Sequence, residues 1–188
     1  MTEDEFTDDL VSKLKLETDQ YYVGTRKSVL YSLAINDAGI VDMGVDIDSG
    51  EPIRGRGKGF QQDILVYEES SEGHTSVIPR LIVEVKLNGV TSHDAIVYSE
   101  KAKRIKQIYP FVRFGLLLAG MSSVPGRVLR LEENFDFMLV VNNPPSPDEL
   151  NGLRSLFIDE IQASNNLADI HFHNKKVKSL RKVLNVVY

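Results

Sequence analysis

Near the start of the chain Phe6, Leu10 and Leu14 recur every fourth position, the spacing of one helical face. Glu17 continues that stripe and puts a carboxylate on the inward side, near the expected helix end. From 28 to 45 the pattern is ambiguous, with NDAG reading as a turn between two strands. QDILVYEE and RLIVEVKL read as strands joined across the polar stretch SSEGHTS, a hairpin loop, with Pro79 just ahead of the second strand. Thr91 and Asp94 form a capping box for a helix running to about Tyr109, with Tyr98, Ala102, Ile105 and Tyr109 on one face. Pro110 stops it. RFGLLLAG reads as a strand covered on both faces, and FDFMLVV as another. Ser146, Pro147 and Glu149 then open a helix that buries Leu150, Leu153, Phe157 and Ile161. The tail from His171 is basic and ends in VLNVVY, a last short helix or a strand. The pattern predicts one α/β domain of mixed α+β type spanning 1–188.

Composition narrows the chemistry. The 188 residues include no cysteine, which excludes disulfides, thiolate zinc sites and cysteine nucleophiles. No apolar run approaches membrane-spanning length, and MTEDEFTDDL lacks the apolar core of a signal peptide, so a cytoplasmic protein is expected. The formal net charge of -5 argues against a nucleic-acid partner until its distribution is seen. Residues 1–53 carry 4 basic and 12 acidic side chains, whereas 54–127 carry 11 basic and 7 acidic. A positive centre in an acidic protein engages phosphate locally, although a chance imbalance of solvated charge produces the same count.

The alternation of RLIVEVKL points Glu84 and Lys86 to one face, with Val83, Val85 and Leu87 on the other. A charged pair inside an apolar strand is costly to bury unless something pairs it. Asp63 opens the preceding strand, and hairpin pairing is expected to bring it near Glu84. Two carboxylates and an ammonium on one side of a sheet invite a hard cation, because oxygen ligands suit Mg²⁺ and the metal relieves the repulsion between the acids. The expected chemistry is phosphodiester hydrolysis: metal on Asp63 and Glu84, with the Val85 carbonyl completing coordination and Lys86 stabilising charge or orienting water.

Asp63, a spacer of twenty residues, and then Glu84-Val85-Lys86 resemble the PD-(D/E)XK signature of the restriction-endonuclease-like superfamily. The likeness extends from about Phe6 to Val141: a first helix, a hairpin bearing the motif, an amphipathic helix and the apolar strand that follows. It implies a central mixed sheet flanked by helices, Mg²⁺ or Mn²⁺ as cofactor, and DNA as the usual substrate. Glu17 stands where many members carry a further metal-linked glutamate on their first helix. Gln62 rather than proline precedes Asp63, a departure from the pattern. By itself E-x-K is a weak signal, since exposed edge strands often alternate charge; the apolar neighbours of Glu84 argue for a central strand.

Other signals are weaker. Arg54, Arg56 and Lys58 alternate with Gly55, Gly57 and Gly59 just before the Asp63 strand, and such a loop either clamps DNA or is simply a surface loop. It is no Walker loop, since GKG leads into a strand. Lys101, Lys103, Arg104 and Lys106 follow on the amphipathic helix, where a solvated face is the usual explanation; the resemblance, which implies that this helix borders the active site, makes Lys103 or Gln107 a phosphate-contact candidate. His171 and His173 would share one strand face but have no third ligand nearby. The tail cations Lys175, Lys176, Lys178, Arg181 and Lys182 are either a second phosphate contact or a helix cover, and Tyr21 and Tyr22 read as core. No G-x-S-x-G elbow is present. The expectation is a metal-dependent endonuclease, acting as a homodimer where both strands are cut. The alternative is a non-cleaving nucleic-acid-binding or assembly subunit of a larger complex on the same fold.

Overall fold

The structure is a computed structural model and describes residues 1–16, 18–32, 34–35, 38–39, 41–42, 47–48, 58–69, 77–131, 133–173 and 175–179. Its elements are α1 (Glu3–Leu14), β1 (Tyr22–Ser32), β2 (Ala34–Ile35), β3 (Val41–Asp42), β4 (Lys58–Glu69), β5 (Val77–Leu87), α2 (Ser92–Ile108), β6 (Arg113–Ala119), α3 (Gly126–Leu129), β7 (Phe137–Val141) and α4 (Pro147–Phe172). Five strands form a mixed sheet in the order β1-β4-β5-β6-β7, and β2 and β3 form a separate two-stranded pair. The β1–β4 and β4–β5 pairs are antiparallel, whereas β5–β6 and β6–β7 are parallel.

Each helix is delimited as its sequence dictates. Thr2 with Glu5, Thr91 with Asp94, and Ser146 with Glu149 close capping boxes that satisfy the first free N–H groups of α1, α2 and α4. Lys15 ends α1 in the left-handed conformation. Phe6, Leu10 and Leu14 of α1 and Leu153, Phe157 and Ile161 of α4 pack on one sheet face, against Ile64, Val66, Leu81, Val83 and Val85. On the opposite face Ala102 and Ile105 of α2 pack against Val29, Leu65, Ile82 and Phe114. With apolar layers on both faces, β5 and β6 lie between helices, and Leu81–Val83, Val85 and Leu116–Leu118 are fully buried. Gly115 lets the Phe137 ring lie against the β6 backbone; a Cβ there would stand 2.1 Å from the ring.

Three expectations change. Pro79 lies inside β5, opposite Tyr67, where the β4–β5 register shifts; the irregularity removes the need for the N–H that proline lacks. The strand carrying Asp63 begins earlier, at Lys58, so the end of the glycine-rich segment is paired with β1. His171 is helical and His173 is the C-cap of α4, bonded through its ring to Asp169, so the two do not share a strand face. The SSEGHTS loop and the 180–188 tail lie outside the described residues. Among the described residues no helix is long and apolar enough to cross a membrane.

Candidate active site

Pairing between β4 and β5 runs from Glu69↔Val77 to Ile64↔Val83 and goes no further. Before Ile64, β4 continues to pair with β1, and past Val83, β5 continues to pair with β6. The two central strands therefore part into a wedge, which opens at Asp63 and Glu84. Buried backbone donors cannot be left without acceptors at such a split. Two carboxylates supply them: Asp63 Oδ2 accepts the Val85 N–H at 2.8 Å, and Glu3 Oε2 accepts the Leu87 N–H at 3.3 Å. The Val85 carbonyl projects to the same edge of β5, because one residue's N–H and C=O point to the same neighbour.

The register Leu65↔Ile82 and Ile64↔Val83 carries Asp63 opposite Glu84, both on the α2 face. Glu84 is 2% exposed, a carboxylate sunk in the sheet. Burial pushes its acid up to about 8, Lys101 opposes the rise, and the neighbouring Asp63 carboxylate adds to it. Lys101 is the closest cation. Its Nζ lies 2.6 Å from Glu84 Oε1, also donates to the Gln61 carbonyl, and stands over the rings of Phe60 and Tyr98.

Lys86 shares this side of the sheet but turns to other partners. Its Nζ lies 3.1 Å from Glu3 Oε1 and 5.5 Å from the Tyr98 ring centroid. Burial by itself would lower its pKa, but the Tyr98 hydroxyl and Glu3 outweigh it, raise the pKa and hold the ammonium charged. Tyr98 is pushed up to about 12, chiefly by burial and further by the nearby Glu84 and Asp63, against the pull of Lys86. The cluster thus joins β4, β5, α2 and the start of α1: Asp63, Glu84, Lys86, Tyr98, Lys101 and Glu3.

The sequence placed Asp63, Glu84 and Lys86 together, and the structure does bring all three to one region. It does not place the Lys86 ammonium against Glu84; that contact belongs to Lys101, which reading the cations of α2 as one solvated run had concealed. Tyr98 and Lys101 are one helical turn apart, and Lys101 adjoins the buried Ala102, so it sits at the border of the apolar face. Glu17, Arg54 and Arg56, together with the Lys58 side chain, lie outside the described residues. The first helix, expected to reach toward position 17, ends at Leu14, and the carboxylate it contributes to this region is Glu3. Lys103 and Gln107 are exposed on α2 and line a groove against β1.

The donor set for a metal is two carboxylates and the edge of β5. Among the described residues no group of three or more His, Cys, Asp or Glu side chains is placed to hold an ion. Two carboxylates suit Mg²⁺, which keeps several waters and takes its remaining ligands from substrate phosphate. The Lys101 ammonium is held there by one carboxylate oxygen and one carbonyl. No protein-family model matches the chain, and no curated protein matches it either.

Proposed function

We propose that this protein is a divalent-metal-dependent nuclease of the restriction-endonuclease-like type, hydrolysing phosphodiester bonds, with DNA as the expected substrate. One observation carries the reading: Asp63 and the buried Glu84 stand opposite each other where two central strands part, with the Lys101 ammonium on Glu84 and the Lys86 ammonium against the neighbouring Tyr98 ring. Asp63 and Glu84, with the Val85 carbonyl, are the residues that would hold Mg²⁺ or Mn²⁺. A cation bound there would polarise the scissile phosphate and acidify the attacking water.

The remaining groups act on the substrate. Lys86, kept charged by Tyr98 and Glu3, supplies a fixed positive charge for the phosphoryl oxygens. Lys101 neutralises Glu84 and is the second ammonium within reach once Glu84 turns to another cation. Tyr98 stands beside both ammonium groups and limits their freedom.

Incubating the protein with plasmid, linear duplex and single-stranded DNA in Mg²⁺ or Mn²⁺ tests this. Cleavage by the wild type is expected, with loss of roughly 10²-fold or more in Lys86→Ala and in Asp63→Asn. No cleavage on any substrate, or equal cleavage by the variants, overturns it. The Lys101–Glu84 pair favours a second reading, in which the cluster is closed by its own ion pair and the protein binds nucleic acid, or joins a larger complex, without cutting. DNA binding that ignores EDTA, with no cleavage, would select that reading.

A further inference from the structure

We propose that the groove between α2 and β1 is a track for single-stranded nucleic acid, which delivers an unpaired strand to the carboxylate pair. This rests on the nuclease reading for what happens at the site but not for the binding itself. The groove, about 560 Å³, is lined by Tyr31, Ser32, Glu100, Lys103, Arg104 and Gln107. It is an open groove on the surface rather than an enclosed cavity.

Tyr31 in its wall leads by ring contacts back toward the site. The Tyr31 and Phe60 rings are stacked, with centroids 3.6 Å apart and planes 16° apart. Lys101, bound to Glu84, stands 5.9 Å from the Phe60 ring centroid. From the buried carboxylate one therefore passes to an ammonium, to a stacked ring pair, and then to a groove edged by cations. Base on ring with phosphate on cation is how unpaired strands are held without sequence preference. A duplex keeps its bases stacked inside and offers such a wall only its backbone.

The cations of the groove are available to a phosphate. Arg104 lies 2.9 Å and Lys103 3.9 Å from Glu100, with all three side chains about half exposed. Exposed pairs of this kind are held weakly, and an anionic backbone can take over the cations. Gln107, one turn beyond Lys103 and Arg104, adds a neutral donor to the same edge.

Fluorescence anisotropy in EDTA, with a short oligodeoxyadenylate and a duplex of equal length, separates binding from catalysis. Tighter binding of the single strand is expected, weakened about tenfold by Tyr31→Leu, which keeps apolar bulk and removes the ring. Arg104→Glu, on the exposed face of α2, should weaken it comparably without touching the core. Equal or tighter binding of the duplex, or wild-type affinity in both variants, overturns the track. Single-strand binding of the expected kind without cleavage in Mg²⁺ or Mn²⁺ would keep the track and sink the nuclease reading. Cleavage confined to duplex and indifferent to Tyr31→Leu would do the reverse.

Discussion

Glu84→Gln should stabilise the protein at alkaline pH and leave it unchanged in acid. The wild-type carboxyl is pushed up to about 8 from an ordinary 4.5, so the folded protein holds a proton there that the unfolded chain has released. Below 4.5 both states are protonated and the group contributes nothing. As pH rises from 4.5 to about 8, the unfolded state binds fewer protons than the folded one, and stability falls; above about 8 the loss is complete and constant. At about 1.4 kcal/mol per pH unit, this window sets an upper limit of about 5 kcal/mol. Relaxation of the wedge reduces it, and glutamine leaves the Lys101 ammonium with a weaker acceptor, so an observed difference of roughly 2–3 kcal/mol is expected. Urea denaturation of wild type and variant across this pH range measures it, because titrating groups remote from Glu84 cancel in the difference. A variant-minus-wild-type difference that is flat with pH, or that rises toward acid, refutes the picture of a buried carboxyl held out of water.

Lys101→Met keeps the side-chain stem but leaves Glu84 without its ion partner, so it should destabilise by roughly 3–5 kcal/mol at alkaline pH. In acid, where Glu84 is neutral, the cost should shrink; an equal loss at both pH values would mean that the stem rather than the charge matters. Gly115→Ala should cost roughly 1–3 kcal/mol in thermal or urea unfolding, because the added methyl meets the Phe137 ring. Unchanged stability would mean that the ring moves aside freely.

The sheet and its helices were legible because each element repeated its own period. Phe6-Leu10-Leu14 and Leu153-Phe157-Ile161 declared helical faces, and the run in RFGLLLAG declared a strand covered on both sides. The capping residues Thr91 and Ser146 marked helix starts to the residue. Pro79 misled because local rules exclude proline from a paired strand, whereas a register shift, a tertiary event, makes room for it.

At the site the carboxylates were legible and the cations were not. Alternation alone puts Glu84 and Lys86 on one face, and a hairpin puts Asp63 near them. Where an ammonium ends depends on several flexible bonds and on every acceptor within reach, so Lys86 turns to Glu3 while Lys101 crosses from α2 to Glu84. The stripe of the first helix extends equally to position 17 and back to position 3. The helix boundaries at Glu3 and Leu14 decide that Glu3 is the carboxylate it brings to the wedge. The parting of β4 and β5, which leaves the Val85 and Leu87 N–H groups to side-chain carboxylates, leaves no mark in the local pattern of either strand.

The most direct test of the central claim is calorimetric titration of the protein with Mn²⁺ in the absence of nucleic acid. Saturable binding of one ion is expected, accompanied near neutral pH by proton release from Glu84 and abolished by Asp63→Asn and by Glu84→Gln. Binding unaltered in both variants, or no binding by the wild type, would contradict a shared cation site between those two carboxylates.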